Sequence, residues 1–88
     1  MYAAWVTLSD GRRLKAAVNI GLRPTFYEDA EFPLLEAHVL DFDEDLYGQQ
    51  LRVEFVSFLR SERKFDGIEQ IAAQLATDVE QARSALSP

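Results

Sequence analysis

Apolar and polar residues alternate along four short stretches of the chain, and this pattern predicts four β-strands. The first two, at about residues 2–8 and 14–20, are separated by the sequence SDGRR, whose Asp-Gly pair is typical of a tight hairpin turn. Two more strands are expected at about residues 34–40 and 51–59, and the apolar character of the first of these indicates burial. A loop opened by Gly21 and punctuated by two prolines is expected before the third strand. One face of the fourth strand would carry Leu51, Val53, Phe55 and Ser57.

The C-terminal part of the chain has the period of an amphipathic helix. Apolar residues recur three or four positions apart, which predicts a helix over about residues 67–86. Asp66 is expected to be its N-cap, with Glu69 completing a capping box. Four strands followed by one helix predict a mainly β domain, an antiparallel sheet or barrel closed by a C-terminal helix.

Composition limits the classes of partner. The 88 residues make one small domain, and a net charge of −6 disfavours binding to nucleic acid, although small phosphate ligands stay possible. The chain has no cysteine, which excludes disulfides and thiolate metal sites and fits a cytoplasmic location. It has no signal-peptide pattern and no run of about 20 apolar residues, so no membrane partner is expected.

Two polar residues interrupt the third predicted strand, LLEAHVL. Glu36 and His38 would share one face with Leu34 and Leu40. On a strand, Glu36 and His38 would lie about 6 to 7 Å from each other. A carboxylate among apolar neighbours is costly unless it is paired or protonated. Glu36 could be a catalytic base, or an edge-strand acid that faces water or pairs with Arg52. His38 is expected to be a hydrogen-bonded structural residue, because a metal site would need a third ligand.

Three segments together resemble a known family. AAVNIGLRPTF, LLEAHVLDFDEDLYGQQLRVEF and FLRSERKFDGIEQIAAQLATDVEQAR occur in the order and spacing of the riboflavin kinase module. In bacteria this module is usually the C-terminal half of a bifunctional riboflavin kinase/FAD synthetase. The resemblance implies an antiparallel six-stranded Greek-key barrel with a C-terminal helix. It also implies ATP-dependent phosphorylation of the riboflavin 5′-hydroxyl, which gives FMN and ADP.

The resemblance implies roles for single residues as well. Glu36 matches the general base that takes the proton of the flavin hydroxyl. FLRSERKF matches the segment that borders the flavin, and NIGLRPTF and DLYG match segments beside the nucleotide. An ordinary strand end and a solvated turn leading into the helix are the alternatives for these stretches. The resemblance assigns flavin binding to Arg60, Glu62 and Phe65, and it assigns nucleotide binding to Asn19, Arg23 and Tyr47.

The magnesium motif of the family has no match in this sequence. That motif, similar to GxPTAN, uses a threonine and an asparagine to hold magnesium and the ATP phosphates. We therefore expect a partial riboflavin kinase domain over residues 1–88, with Mg-ATP and riboflavin as substrates and no metal site of its own. The alternative is a catalytically incomplete β-domain that binds flavin or self-associates through an open sheet edge.

Overall fold

The structure, a computed structural model, describes residues 1–24 and 31–87, and it consists of one antiparallel sheet and one C-terminal helix. The strands follow the spatial order β3-β2-β1-β4, which is the Greek-key order of three successive strands with the fourth beside the first. The mainly β fold with a Greek-key strand order and a C-terminal helix is therefore confirmed, as an open sheet in the described residues. The elements are β1 (Tyr2–Thr7), β2 (Arg13–Pro24), β3 (Glu31–Val39), β4 (Arg52–Phe58) and α1 (Ile68–Ala85).

The turn between β1 and β2 is the hairpin that the sequence predicts. The Leu8 amide donates to the Arg12 carbonyl at 2.8 Å, and the Gly11 amide donates to the Leu8 carbonyl at 3.0 Å. Gly11 has a φ of 93°, a left-handed conformation that glycine adopts without steric cost. Three-residue hairpin loops commonly place glycine at this position.

The hairpin of β2 and β3 is longer than the sequence predicts. The expected loop from Gly21 is wrong at both ends, because pairing continues through Gly21 and Leu34 as far as Pro24 and Glu31. A proline within β3 is compatible with this pairing because β3 is an edge strand, where one side needs no ladder hydrogen bonds. The rest of the predicted loop, residues 25–30, lies outside the described residues.

Two small cores lie on the two faces of the sheet. On the side that we call the helix face, α1 packs on β1 and β2, and on the opposite face the connection between β3 and β4 packs over the strands. Alanines dominate the contact with the helix, so the helix and the sheet can approach closely. Buried residues of the helix-face core are Met1, Ala3, Ala17, Ala82 and Leu86. Those of the opposite core are Ala4, Val6, Leu8, Ala16, Val18 and Val39.

The third strand is exposed, so the prediction that it is buried is wrong. Leu34 and Leu35 are 36% and 46% exposed, whereas Val39 and Leu40 at the C-terminal end are buried. β3 is an edge strand, and α1 lies over β1 and β2. Side chains at positions 33–38 of β3 therefore stay open to solvent or to a ligand.

A bulge in β4 breaks the predicted alternation of its side chains. Ala3 and Ala4 are consecutive in β1, but they pair with Ser57 and Phe55, so the strand register shifts by one residue between them. Phe55 and Ser57 therefore lie on different faces of the sheet, contrary to the prediction. The ring of Tyr2 meets Phe55 edge-on, with the centroids 5.2 Å apart.

The N-cap of the helix lies one residue later than predicted. Gly67 is the N-cap, with extended backbone and no side-chain hydrogen bond, so the prediction of Asp66 is wrong. The backbone amide of Asp66 instead donates to the side-chain oxygen of Gln70 at 3.2 Å. This contact satisfies one backbone donor before the helix, but the first turn lacks a side-chain cap.

Candidate functional site

A cleft of about 460 Å³ opens on the helix face of the sheet. One wall is formed by β2 and β3, a second by residues 60–65, and a third by the first half of α1. The volume lies in the range of small-molecule sites. Apolar side chains and a few charged groups line it together, the combination that holds a largely aromatic ligand and orients it.

The strand wall carries the polar residues of the LEAH sequence. Glu36 pairs directly with Asn19 on β2, and His38 pairs with Ala17, so all four lie on the helix face. Side chains paired across neighbouring strands lie about 5 Å apart, which brings the Glu36 carboxylate and the Asn19 amide within reach of one ligand. Glu36 is exposed at the cleft, and pairing with Arg52 is excluded because β4 is at the other edge of the sheet.

The second wall is fixed to the start of the chain by its backbone. The amides of Leu59 and Arg60 donate to the Met1 carbonyl at 2.8 and 3.3 Å. The amino group of Met1 donates in turn to the Arg60 carbonyl at 2.8 Å. Residues 59 and 60 thus continue the line of β4 past its last ladder pair, and they direct the following residues across the helix face.

Arg60 is held by a buried aspartate of the helix. Its Nε and Nη2 atoms donate to the two carboxylate oxygens of Asp78, each at 2.7 Å. The Nη1 atom donates to the Ser61 carbonyl at 3.0 Å. The Asp78 side chain is 1% exposed and that of Arg60 is 19% exposed. This is a bidentate ion pair, the strongest geometry for arginine and a carboxylate.

The surroundings of Asp78 keep it ionised. Burial disfavours the carboxylate, but the hydrogen bonds from Arg60 and Gln74 and the charge of Arg60 outweigh burial and hold the pKa of Asp78 below its ordinary value. The Gln74 amide donates to Asp78 Oδ1 at 3.0 Å. The same pairing raises the pKa of the Arg60 guanidinium. Both groups are therefore charged at neutral pH.

A second arginine faces the cleft beside an aromatic ring. The guanidinium carbon of Arg63 lies 5.0 Å from the centroid of the Phe65 ring, within the range of a cation–π contact. Arg63 Nη1 also donates to the side-chain oxygen of Gln74 at 2.8 Å. The cleft therefore presents a cation and an aromatic ring that are already oriented against each other.

The structure brings most of the predicted site residues together and separates one. Tyr47 is 96% exposed on the connection between β3 and β4, away from the cleft lining. Arg23 belongs to β2 and pairs with Phe32, and its side chain lies outside the described part of the chain. The roles of all seven residues stay predictions. Those that line the cleft are Asn19, Glu36, Arg60, Glu62 and Phe65.

Three residues of this region were not predicted from the sequence: Arg63, Gln74 and Asp78. Asp78 had a signal, because it follows Leu75 by three positions and precedes Ala82 by four, which places a charge within the apolar stripe of the helix. A charge on a buried stripe requires a partner, and Arg60 is the partner here. Arg63 and Gln74 had no comparable signal, since both are ordinary surface residue types.

The described residues contain no group of three or more metal-binding side chains that could hold a metal ion. In the same residues, no helix is long and apolar enough to cross a membrane.

Comparisons with known proteins identify the family. The family model of flavokinase, described as riboflavin kinase, matches residues 1–86. The chain is 38% identical over 74 residues to a bifunctional riboflavin kinase/FMN adenylyltransferase of Bacillus subtilis, covering 83% of this chain and 23% of that protein. It is 33% identical over 87 residues to the riboflavin kinase of Homo sapiens, covering 98% of this chain and 55% of that protein.

A solved structure shares the fold. A crystal structure of a macrolide-efflux protein from Streptococcus pneumoniae matches with a TM-score of 0.82 and 30% identity, over 93% of this chain and 26% of that one. The chain thus spans about a quarter of the bacterial relative and about half of the human one. The family match over nearly the whole chain decides its place: the chain belongs to the riboflavin kinase family.

Proposed function

We propose that this protein transfers the γ-phosphoryl group of Mg-ATP to the 5′-hydroxyl of riboflavin and so produces FMN and ADP. The observation that carries the proposal is the cleft, where Glu36 shares one lining with Arg60, Glu62 and Phe65. These are the residues that the family resemblance assigns to the base and to the flavin. Family membership supports the same reaction.

Glu36 would act as the general base. The hydroxyl oxygen of riboflavin forms a bond to the γ-phosphorus, the bond from that phosphorus to the leaving ADP oxygen breaks, and the hydroxyl proton passes to the Glu36 carboxylate. Phosphoryl transfer requires mainly alignment and neutralisation of charge. A carboxylate on a strand suits this role because the ladder of β2 and β3 holds its backbone in place.

The 60–65 wall would bind the flavin ring system. A flat heteroaromatic ligand can stack on the Phe65 ring or on a guanidinium plane, and arginine N–H groups can donate to flavin carbonyls. Asn19, which lies beside Glu36 in the cleft, is proposed to contact the nucleotide. For Arg23 and for Tyr47, which lies outside the cleft lining, the same role rests on the family resemblance alone. The ATP requirement and the absence of cysteine support a cytoplasmic location as part of this proposal.

Product analysis tests the proposal. The purified protein is incubated with riboflavin and Mg-ATP, and FMN is quantified by chromatography with fluorescence detection. We expect FMN from the wild type and a loss of roughly 10²- to 10⁴-fold for Glu36→Gln, because the amide cannot accept the proton. Glu54→Gln, which changes an exposed strand glutamate outside the cleft, serves as the control and should keep full activity.

A second candidate function is supported by the opposite face of the sheet. Large apolar side chains are exposed there, with Phe58 60% and Phe55 47% exposed, and β3 and β4 are both edge strands. These features favour a catalytically incomplete domain that associates with a second copy of itself. Flavin binding without formation of FMN, together with a dimeric mass, would support this alternative over the kinase.

A further inference from the structure

We propose that Asp78 is a positioning residue of the flavin site: through Arg60 and Gln74 it fixes the wall that residues 60–65 form. The inference rests on the proposed function, because it assigns a role to the wall that would hold the flavin. Asp78 itself does not line the cleft. Its effect on a ligand would therefore pass through the two arginines, which do.

The position of Asp78 requires an explanation beyond stability. Its side chain lies in the apolar stripe of α1 and is completely buried. A buried ion pair is often no more stabilising than apolar residues of similar volume. The carboxylate does fix the orientation of the Arg60 guanidinium, because its two oxygens accept from Nε and Nη2 of Arg60.

The fixed orientation of the guanidinium determines which N–H donors of Arg60 remain for a ligand. Three of its five N–H groups are occupied by Asp78 and by the Ser61 carbonyl. The remaining donors are held at fixed angles because the guanidinium is planar and its fork is anchored. A ligand that meets Arg60 in the cleft therefore meets an oriented group, so less conformational entropy is lost on binding.

The second arginine is connected to the same carboxylate. Gln74 donates to Asp78 through its amide nitrogen and accepts from Arg63 through its amide oxygen. These contacts fix the orientation of the Gln74 amide, and with it the position of the Arg63 guanidinium over Phe65. One carboxylate of α1 thus organises both arginines of the wall.

Titration of the protein with riboflavin, followed by the quenching of flavin fluorescence, tests this role. We expect Asp78→Asn to weaken riboflavin binding about tenfold, since small misplacements of ligand-positioning groups have effects of this order or larger. Glu80→Gln removes an exposed carboxylate from the same helix and should leave the affinity unchanged. In turnover, Asp78→Asn should raise the KM for riboflavin and leave the KM for ATP unchanged.

A double-mutant cycle separates positioning from general structural damage. If Asp78 acts through Arg60, then Asp78→Asn should weaken riboflavin binding much less in an Arg60→Lys background than in the wild type, because the fork is already lost. Equal effects in both backgrounds would overturn the inference. Thermal unfolding without flavin is measured for each variant, to confirm that binding is compared between folded proteins.

The failure of this inference and the failure of the proposed function give different results. Riboflavin binding by the wild type with unchanged affinity in Asp78→Asn overturns the positioning role and leaves the proposed function intact. No riboflavin binding by the wild type overturns both. Should Asp78→Asn fail to fold, Gln74→Leu breaks the connection to Arg63 near the surface, and an unchanged affinity in that variant contradicts the role.

Discussion

The ion pair of Arg60 and Asp78 joins the segment after β4 to the helix. Among the residues that the structure describes, Asp78 is the one charged residue that is buried. Removal of one partner of such a pair leaves a charge without compensation. Exposed pairs such as Arg83 and Asp41, which meet at 2.8 Å, contribute far less because water screens them. Stability at the residue scale is therefore expected to depend strongly on Asp78.

The pH dependence of unfolding tests this expectation. The pKa of Asp78 is lowered in the folded protein, so the pair stabilises fully above the unfolded value of about 3.9 and is lost as the pH falls through the lower folded value. We expect the wild type to exceed Asp78→Asn by about 3 kcal/mol in free energy of unfolding near neutral pH. The difference should shrink below about pH 4, as urea unfolding at a series of pH values would reveal.

Asp41→Asn is the matched control for this measurement. It changes an aspartate that also has a lowered pKa and a bidentate arginine partner, but at the surface. We expect its effect on the free energy of unfolding to be small at any pH, because water screens this exposed pair. A difference between wild type and Asp78→Asn that stays constant down to pH 2 would contradict the assignment.

At the scale of elements, the N-terminus of α1 lacks a side-chain cap, and a substitution there can stabilise the helix. Gly67 is the N-cap with φ −167° and ψ 170°, and an added Cβ would meet no atom within 4 Å. A serine there can accept from a free amide of the first turn and restricts the unfolded chain. We expect Gly67→Ser to raise the free energy of unfolding by about 0.5 to 1 kcal/mol in urea unfolding.

The same substitution elsewhere provides the control. Gly48 has a φ of 80°, which side chains other than glycine rarely adopt, so Gly48→Ser should destabilise the protein although the space around it is open. Stabilisation by both substitutions would show that a general loss of chain entropy, rather than capping, explains the result at Gly67.

The packing of α1 on the sheet gives a second prediction for the elements. Ala82 is fully buried against a surface that includes Ala3 and Ala17. A larger side chain would separate the helix from the sheet, so Ala82→Leu should destabilise the fold by about 1 to 3 kcal/mol. Ala73→Leu, at an exposed position of the same helix, should stay within about 0.5 kcal/mol, and equal effects in thermal unfolding would contradict this packing.

The elements were largely predictable from the sequence, whereas their neighbours in space were less so. Alternation predicted the strands, helical spacing predicted the helix, and the Asp-Gly pair predicted the hairpin at Gly11, because these depend on local chain geometry. The exposure of β3 depends on which strand occupies the edge, and the bulge near Val56 depends on pairing with β1. Neither can be read from residues that are close in sequence.

The site divides in the same way. Glu36 and the FLRSERKF stretch were found because their sequence patterns match those of a family, and the structure places them on one cleft. The pairing of Arg60 with Asp78 spans 18 positions and depends on how α1 lies on the sheet. Long-range contacts of this kind follow from tertiary packing, so the sequence indicated only an unusual charge on an apolar stripe.

At the scale of the whole molecule, the two faces of the sheet have different surfaces. One carries the helix and the cleft, and the other exposes aromatic residues that include Phe55 and Phe58 around the ring of Tyr2. If this exposed face mediates self-association, Phe58→Glu should lower the fraction of dimer in sedimentation velocity. Ile68→Glu, at an exposed apolar position of α1, should leave the fraction of dimer unchanged, and a monomeric wild type would remove this candidate function.

The central claim is that riboflavin binds in the cleft on the helix face, beside Glu36. The most direct test is a map of amide chemical-shift changes when riboflavin is added to the isotope-labelled protein. We predict the largest changes at Asn19, Glu36 and Phe65, which line the cleft, and little change at Val6 and Leu8 in the opposite core. Changes confined to the opposite face, or no changes at saturating riboflavin, would contradict the account.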